Sequence, residues 1–331
     1  MSEKQGNVNM IKDILKSRNL LSYLLVLALF LTMISMTGCG KKDHPTTGQK
    51  KLNIVTTLFP LYDFTRNIVG DNAQVTLLLP PGMEPHSFEP KPGDMLRINN
   101  ADLFIYTGKF MEPWVEGILK GLDSKKLVIV DTSRGITLNE EKEDEKDQDH
   151  AHGHGKTDPH IWLDLSNAQK IVDNILEGVI QKDVANRDYY SKNAETYKVN
   201  LNGMDAKYRE TFSTCKRRIF IHGGHFAFNY LAKRYNLQYI AAYHGSPDAE
   251  PTPKRLIELK NMLKQYDIKY IYYEELILPR VSEVISRETG ATMLKLHGAH
   301  NVSKEDMDKG ITFLSLMEEN LKNLKVGLEC Q

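Results

Sequence analysis

Four short loops hold most of the histidines that could do chemistry in this chain: Pro85-His86-Ser87, Asp158-Pro159-His160, His222-Gly223-Gly224-His225 and Gly298-Ala299-His300-Asn301. Each stands just after or beside an apolar run that reads as a strand. Imidazole is the commonest metal ligand among side chains, and four such loops converging on one cleft would hold a divalent ion. Imidazole-rich tetrahedral sites suit zinc, whereas manganese prefers oxygen, so the expected ion is Zn2+, with Mn2+ as the alternative. Affinity for such a site should fall as pH drops through about 6 to 5, where free imidazole takes up its proton.

Each loop also has an ordinary reading. His86 lies in Leu79-Pro80-Pro81-Gly82-Met83-Glu84-Pro85-His86-Ser87-Phe88-Glu89-Pro90, where four prolines stiffen a strand-end loop. On its own it could equally be a solvated loop histidine. His160 is flanked by Asp158, Pro159, Trp162 and Asp164, so it is either a ligand oriented by a carboxylate or part of a helix N-terminal turn capped by Asp158 or Asp164. Of His222 and His225 only one is expected to be a ligand; His225, read as opening a helix, is preferred, and likewise His300 over His297. His44 and His244 have only local turns around them. A further cluster, His150, His152 and His154, ends the acidic run 140–149, whose seven acids face two lysines. That stretch reads as a surface loop that either collects metal near the cleft or is merely solvated.

The elements that must position these loops come in two series. Apolar or β-branched runs at 52–58, 75–79, 102–107 and 127–130 alternate with helical stretches at 61–68 and 92–99. A second series has strands at 218–221, 237–242, 268–273 and 293–296, with helices at 226–235, 253–266, 279–289 and 303–325. Strands alternating with helices argue an α/β fold with parallel sheets. Residues 166–214 contain no proline and only two glycines, and 187–212 could form one long helix bridging two αβ lobes. In open α/β sheets ligands sit beyond the carboxyl ends of strands, where His86, His225 and His300 fall.

The N-terminus has Lys4, Lys12, Lys16 and Arg18, then an apolar run from 20 to 33, then Met36-Thr37-Gly38-Cys39. That order reads as a secretory signal, and the run is shorter than the roughly 20 residues that span a bilayer comfortably. Met36-Thr37-Gly38-Cys39 resembles the lipobox of bacterial lipoproteins, which implies acylation of Cys39. The expected organisation is a signal peptide over 1–38, a lipidated tether over 39–51, an N-terminal lobe over 52–185 with the acidic and His-rich loop at 140–156, a linking helix over 186–214 and a C-terminal lobe over 215–331. Cys215 and Cys330 are then the remaining thiols; an exported protein permits their pairing, and the sequence leaves it open.

Several segments together carry a family resemblance: 80–92, Asp158-Pro159-His160-Ile161-Trp162-Leu163-Asp164, His225-Phe226-Ala227-Phe228-Asn229-Tyr230-Leu231 and Ser246-Pro247-Asp248-Ala249-Glu250-Pro251-Thr252-Pro253. They resemble the zinc and manganese substrate-binding proteins of bacterial ABC importers, in order from about residue 52 to the C-terminus. The resemblance implies two αβ lobes joined by a rigid helix, one metal in the interlobe cleft, and His86, His160 and His225 as three ligands. It implies a carboxylate as the fourth, after the last strand; here His300 stands at that place, with Glu274 or Glu275 as alternatives. Those two glutamates and Asp158 could otherwise balance the ion's charge from behind the imidazoles. The implied partner is a membrane permease, with the membrane reached through the N-terminal lipid and the protein acting as a monomer.

Composition narrows the remaining classes. Lys plus Arg and Asp plus Glu are 43 each, so no global field favours nucleic acid. A zinc hydrolase would need an open coordination position and a general base, and no H-E-x-x-H or similar motif is present, so the chain is not expected to be an enzyme. A surface adhesin is a further possibility, since similar lipoproteins have been assigned to adhesion.

Overall fold

The computed structural model describes residues 51–122, 126–140, 157–244 and 251–331. The signal-like segment, Cys39, His44, the cluster His150, His152 and His154, and residues 246–250 of the Ser246 motif lie outside the described residues. Among the described residues no helix is long and apolar enough to cross a membrane.

The first lobe is a parallel sheet of β1 (Leu52–Thr56), β2 (Ala73–Leu77), β3 (Leu103–Tyr106) and β4 (Val128–Asp131), in the order β2-β1-β3-β4. Its first three crossovers contain α1 (Phe59–Val69), α2 (Pro92–Asn99) and α3 (Trp114–Leu119). β3 is buried at all four positions, as expected for a strand covered on both faces. The second lobe repeats the pattern with β5 (Ile219–His225), β6 (Gln238–Tyr243), β7 (Tyr270–Tyr273) and β8 (Thr292–Lys295), in the order β6-β5-β7-β8 and again all parallel. In both sheets the order reverses beside the first strand, and the crevice at such a switch point is where α/β folds bind ligands.

Between the lobes run α4 (Leu165–Lys182) and α5 (Arg187–Ser213). The Asp164 carboxylate caps α4 by accepting from Ser166 N and Asn167 N. At 27 residues α5 is ~40 Å long. Its buried stripe, Tyr190, Ala194, Tyr197, Leu201, Met204, Tyr208 and Phe212, recurs every three or four residues and so covers one face. Near its start Tyr197 donates to Asp63 of α1; further on Tyr208 stacks on Tyr235 of the second lobe. One helix is thereby packed into both lobes.

Two expected helices differ. The 226–235 helix begins only at α6 (Asn229–Arg234), because β5 runs on through both glycines to His225. His225 therefore closes a strand rather than opening a helix. The 303–325 stretch is broken into α9 (Lys304–Asp308) and α10 (Phe313–Gly327). Gly310 turns left-handed at φ 71° between them, and α10 has its own cap in Thr312. The helices α7 (Pro253–Gln265) and α8 (Arg280–Thr289) complete the second lobe. Cys215 and Cys330 form a disulfide, tying the chain just before β5 to the C-terminus.

Candidate metal centre

His86 arrives on the proline-rich loop after β2, His160 on the turn before α4, and His225 at the last position of β5. Their Nε2 atoms face one another: His86 to His160 is 3.2 Å and His225 to His160 is 3.2 Å. Zinc–imidazole bonds of about 2.0–2.1 Å in a tetrahedron separate neighbouring nitrogens by about 3.3–3.4 Å, so the spacing fits a single small dication. His160 and His225 are essentially inaccessible, and His86 is half-buried.

The other face of two rings is held by carboxylates. His160 Nδ1 lies 2.8 Å from Asp158 Oδ1 and His225 Nδ1 lies 2.5 Å from Glu274 Oε2. With the proton on Nδ1, each ring turns an Nε2 lone pair into the cluster, which is how carboxylates commonly orient metal-binding histidines. Burial, with the neighbouring rings adding to it, holds His86 and His160 well below the ordinary imidazole value, so both are neutral and ready to ligate. Burial also pulls at His225, but Glu274 outweighs it and His225 is raised. Asp158 is pushed up to about 7 by its burial, a cost that a cation beside it would relieve.

His300 approaches without joining the tight group. Its ring centroid is 6.1 to 6.3 Å from those of His86, His160 and His225, against 5.1 to 5.4 Å among those three. It is buried, with Nε2 4.0 Å from Glu84 and Nδ1 4.0 Å from Glu275. Glu275 accepts from the Gly298 N–H and lies 3.0 Å from His297 Nδ1. Burial would raise its carboxyl, but His297, followed by His300, holds it well below the usual range.

A sequence profile described as zinc-uptake complex component A, periplasmic, matches residues 54–327. The chain belongs to this ZnuA family. It is 39% identical over 306 residues to the high-affinity zinc uptake system protein ZnuA of Bacillus subtilis, covering 92% of this chain and 96% of that one. The zinc-binding lipoprotein AdcA of Streptococcus pneumoniae is 38% identical over 298 residues; the match covers 89% of this chain and 59% of that longer protein. Among solved structures, the Zn(II)-bound ZnuA-like domain of AdcA superposes with a TM-score of 0.73 at 36% identity, over 84% of this chain and 99% of that one. A Streptococcus agalactiae laminin-binding protein, described as bifunctional with adhesin and metal-transporting activity, gives a TM-score of 0.73 at 29% identity, over 84% of this chain and 99% of that one. The fold of this family, two parallel-sheet lobes and a helical linker, is the one seen here.

Of the other histidines, His222 is fully buried behind the cluster, edge-on to Phe228, and His297 accepts from the Ala299 N–H. His244 stacks on Phe226. The two carboxylates of the His160 segment divide the work: Asp164 caps the helix and Asp158 lies against the ring. Sequence reasoning missed Glu84, whose Oε1 accepts from the His86 N–H and whose Oε2 is the atom facing His300. Its position two residues before His86 in the same rigid loop was the available signal.

Proposed function

We propose that this protein is the extracytoplasmic binding component of a zinc ABC importer, capturing one Zn2+ between its lobes and handing it to a membrane permease. The observation that carries the reading is the convergence of three Nε2 atoms, that of His160 lying 3.2 Å from each of the other two, with two of the rings steered by carboxylates. His86, His160 and His225 are the ligands in this reading. His300 is the fourth, standing only about 1 Å further out by ring centroid, since Asp158 and Glu274 are already engaged with His160 and His225. Glu274, Glu275 and Asp158 act from behind, supplying the negative charge that neutral imidazoles lack.

The donor set favours zinc over manganese, because the inner atoms are nitrogens and the carboxylates stand back. Capture rather than turnover follows from the burial of His160 and His225, which leaves little room for an exchangeable water and a substrate together. Removal of residues 1–38 and acylation of Cys39 would hold a monomeric protein at the membrane on the tether 39–51, with His150, His152 and His154 as an auxiliary collector. Competition titration of the purified protein should give one zinc per molecule, bound more tightly than manganese. Manganese bound as tightly would overturn the assignment. Cys39→Ser should release the protein or leave it unprocessed, and unchanged detergent partition together with unchanged mass would remove the lipid anchor from this account.

A further inference from the structure

Asn301 follows His300 in a strap, residues 297–302, that is buried throughout. Its side-chain nitrogen donates to two carbonyls, Pro80 O and Met83 O, each at 2.8 Å, and its Oδ1 accepts from Val302 N–H at 2.9 Å. Both amide hydrogens and the oxygen are thus engaged. The two carbonyls are the first and last of the turn Pro80-Pro81-Gly82-Met83, which is closed by Met83 N donating to Pro80 O at 3.1 Å. Gly82 sits at φ 81°, as the third position of a type II turn requires, after a proline at the second. Gly82 N in turn donates to Val302 O at 2.8 Å. Three bonds from the strap therefore pin the turn, and His86 stands three residues further on.

His86 depends on that pin more than its neighbours do. His160 is steered by Asp158 and His225 by Glu274, but among the described residues no carboxylate is paired with the His86 ring. Its backbone must therefore aim it. The strap makes further bonds to the first lobe, from Phe59 N to His300 O at 3.2 Å and from Trp162 Nε1 to Gly298 O at 2.8 Å. Its bonds to its own lobe gather at its start, where His297 pairs with Asn320 and Gly298 N donates to Glu275.

We propose that Asn301 is a positioning residue for metal capture, locking the His86 turn to the strap so that His86 and His300 stay with the first lobe while His225 and Glu274 part from them. This rests on the reading of His86 as a zinc ligand. Release of zinc then breaks the site between His225 and the rest, and loosening Asn301 makes a second way for the site to come apart.

The test uses the full mature protein with zinc, following its dissociation into excess chelator, and with cobalt(II), following the visible spectrum that reports coordination. Asn301→Asp keeps the shape and the acceptor but sets a carboxylate against two carbonyls; Asn301→Ala removes the amide. Both should release zinc about tenfold or more faster, the scale of one or two lost buried hydrogen bonds, and both should alter the cobalt spectrum. Asn174→Ala is the control, because Asn174 also bridges two carbonyls, Thr132 O and Arg134 O, at 2.9 Å each, in a turn that holds no candidate ligand. It should lower the melting temperature without changing release or spectrum. The proposal fails if the Asn301 variants release zinc at the wild-type rate with the wild-type spectrum, or if Asn174→Ala shifts both as much. Should neither Asn301 variant fold, hydrogen exchange on the wild type decides: the Gly82 amide stays protected when zinc is removed if turn and strap are one body, and its loss of protection overturns the proposal. A wild-type protein that takes up neither metal would overturn the metal-site reading, and this proposal with it.

Discussion

Asp158 and Glu274 do for His160 and His225 what a rigid loop does for His86: they decide which nitrogen faces the cleft. Asp158→Asn retains the shape but can present an N–H to Nδ1, which favours the wrong tautomer; zinc affinity should fall about 10- to 100-fold, read by chelator competition, and an unchanged affinity would show that the ring is aimed by packing alone. His300→Ala should weaken zinc binding more than Glu275→Gln does, since the ring is the candidate ligand and the carboxylate stands behind it; the reverse order would make a glutamate the fourth ligand. The rings also set the pH dependence. With His86 and His160 held low, protons compete first at His225, which Glu274 raises, so affinity should be flat in alkali and begin to fall at a higher pH than for an ordinary imidazole. That fall begins earlier than the 6-to-5 range that unperturbed imidazoles suggest, and a titration flat down to about 6 would contradict it. The histidines themselves were legible from type and loop position. Glu274 could be read as a carboxylate behind the imidazoles, but not its pairing with His225, because the two lie 49 residues apart and only the β5–β7 pairing brings them together.

At the scale of elements, the strand and helix alternation could be read from apolar runs, and α2 falls at 92–99 as expected. The end of β5 could not, since Gly223-Gly224 reads as a turn. The glycines are there for closeness instead: a Cβ on Gly223 would stand 3.1 Å from the backbone nitrogen of Ser282, and one on Gly224 would stand 2.5 Å from Glu274 Oε1 and 2.6 Å from the His222 ring. Gly224→Ala should therefore push Glu274 off His225, costing about 1–3 kcal/mol of stability and weakening zinc together. Gly203→Ala, in the exposed middle of α5 with nothing within 4 Å, should instead stabilise by about 0.5–1 kcal/mol. Thermal melts of the two variants, with and without zinc, check both signs. The break before α10 was hidden for a similar reason, as Phe313 N donates to Asp63, 250 residues away in sequence. The disulfide closes 115 residues of chain, so replacing Cys215 and Cys330 by serine should cost about 2–5 kcal/mol. Zinc affinity should not change, because Cys215 precedes β5 while His225 ends it; a parallel loss of affinity would mean the two ends of the lobe are coupled.

Across the whole molecule, two sheets with their switch points facing one cleft gather rings from loops as far apart as residues 86 and 300, while α5 holds both lobes along one buried stripe. The balance of 43 basic and 43 acidic residues gives no long-range field for an anionic partner, so the charge that matters is local: Asp158, Glu274, Glu275 and Glu84 around the imidazoles. That arrangement is what a protein needs to take up a small dication selectively. The central claim is tested most directly by a zinc-soaked crystal with anomalous scattering measured on either side of the zinc edge. A single peak about 2.0–2.1 Å from the Nε2 atoms of His86, His160 and His225 is the expected result. A peak elsewhere in the molecule, or one that leaves any of these three rings beyond bonding distance, would contradict it.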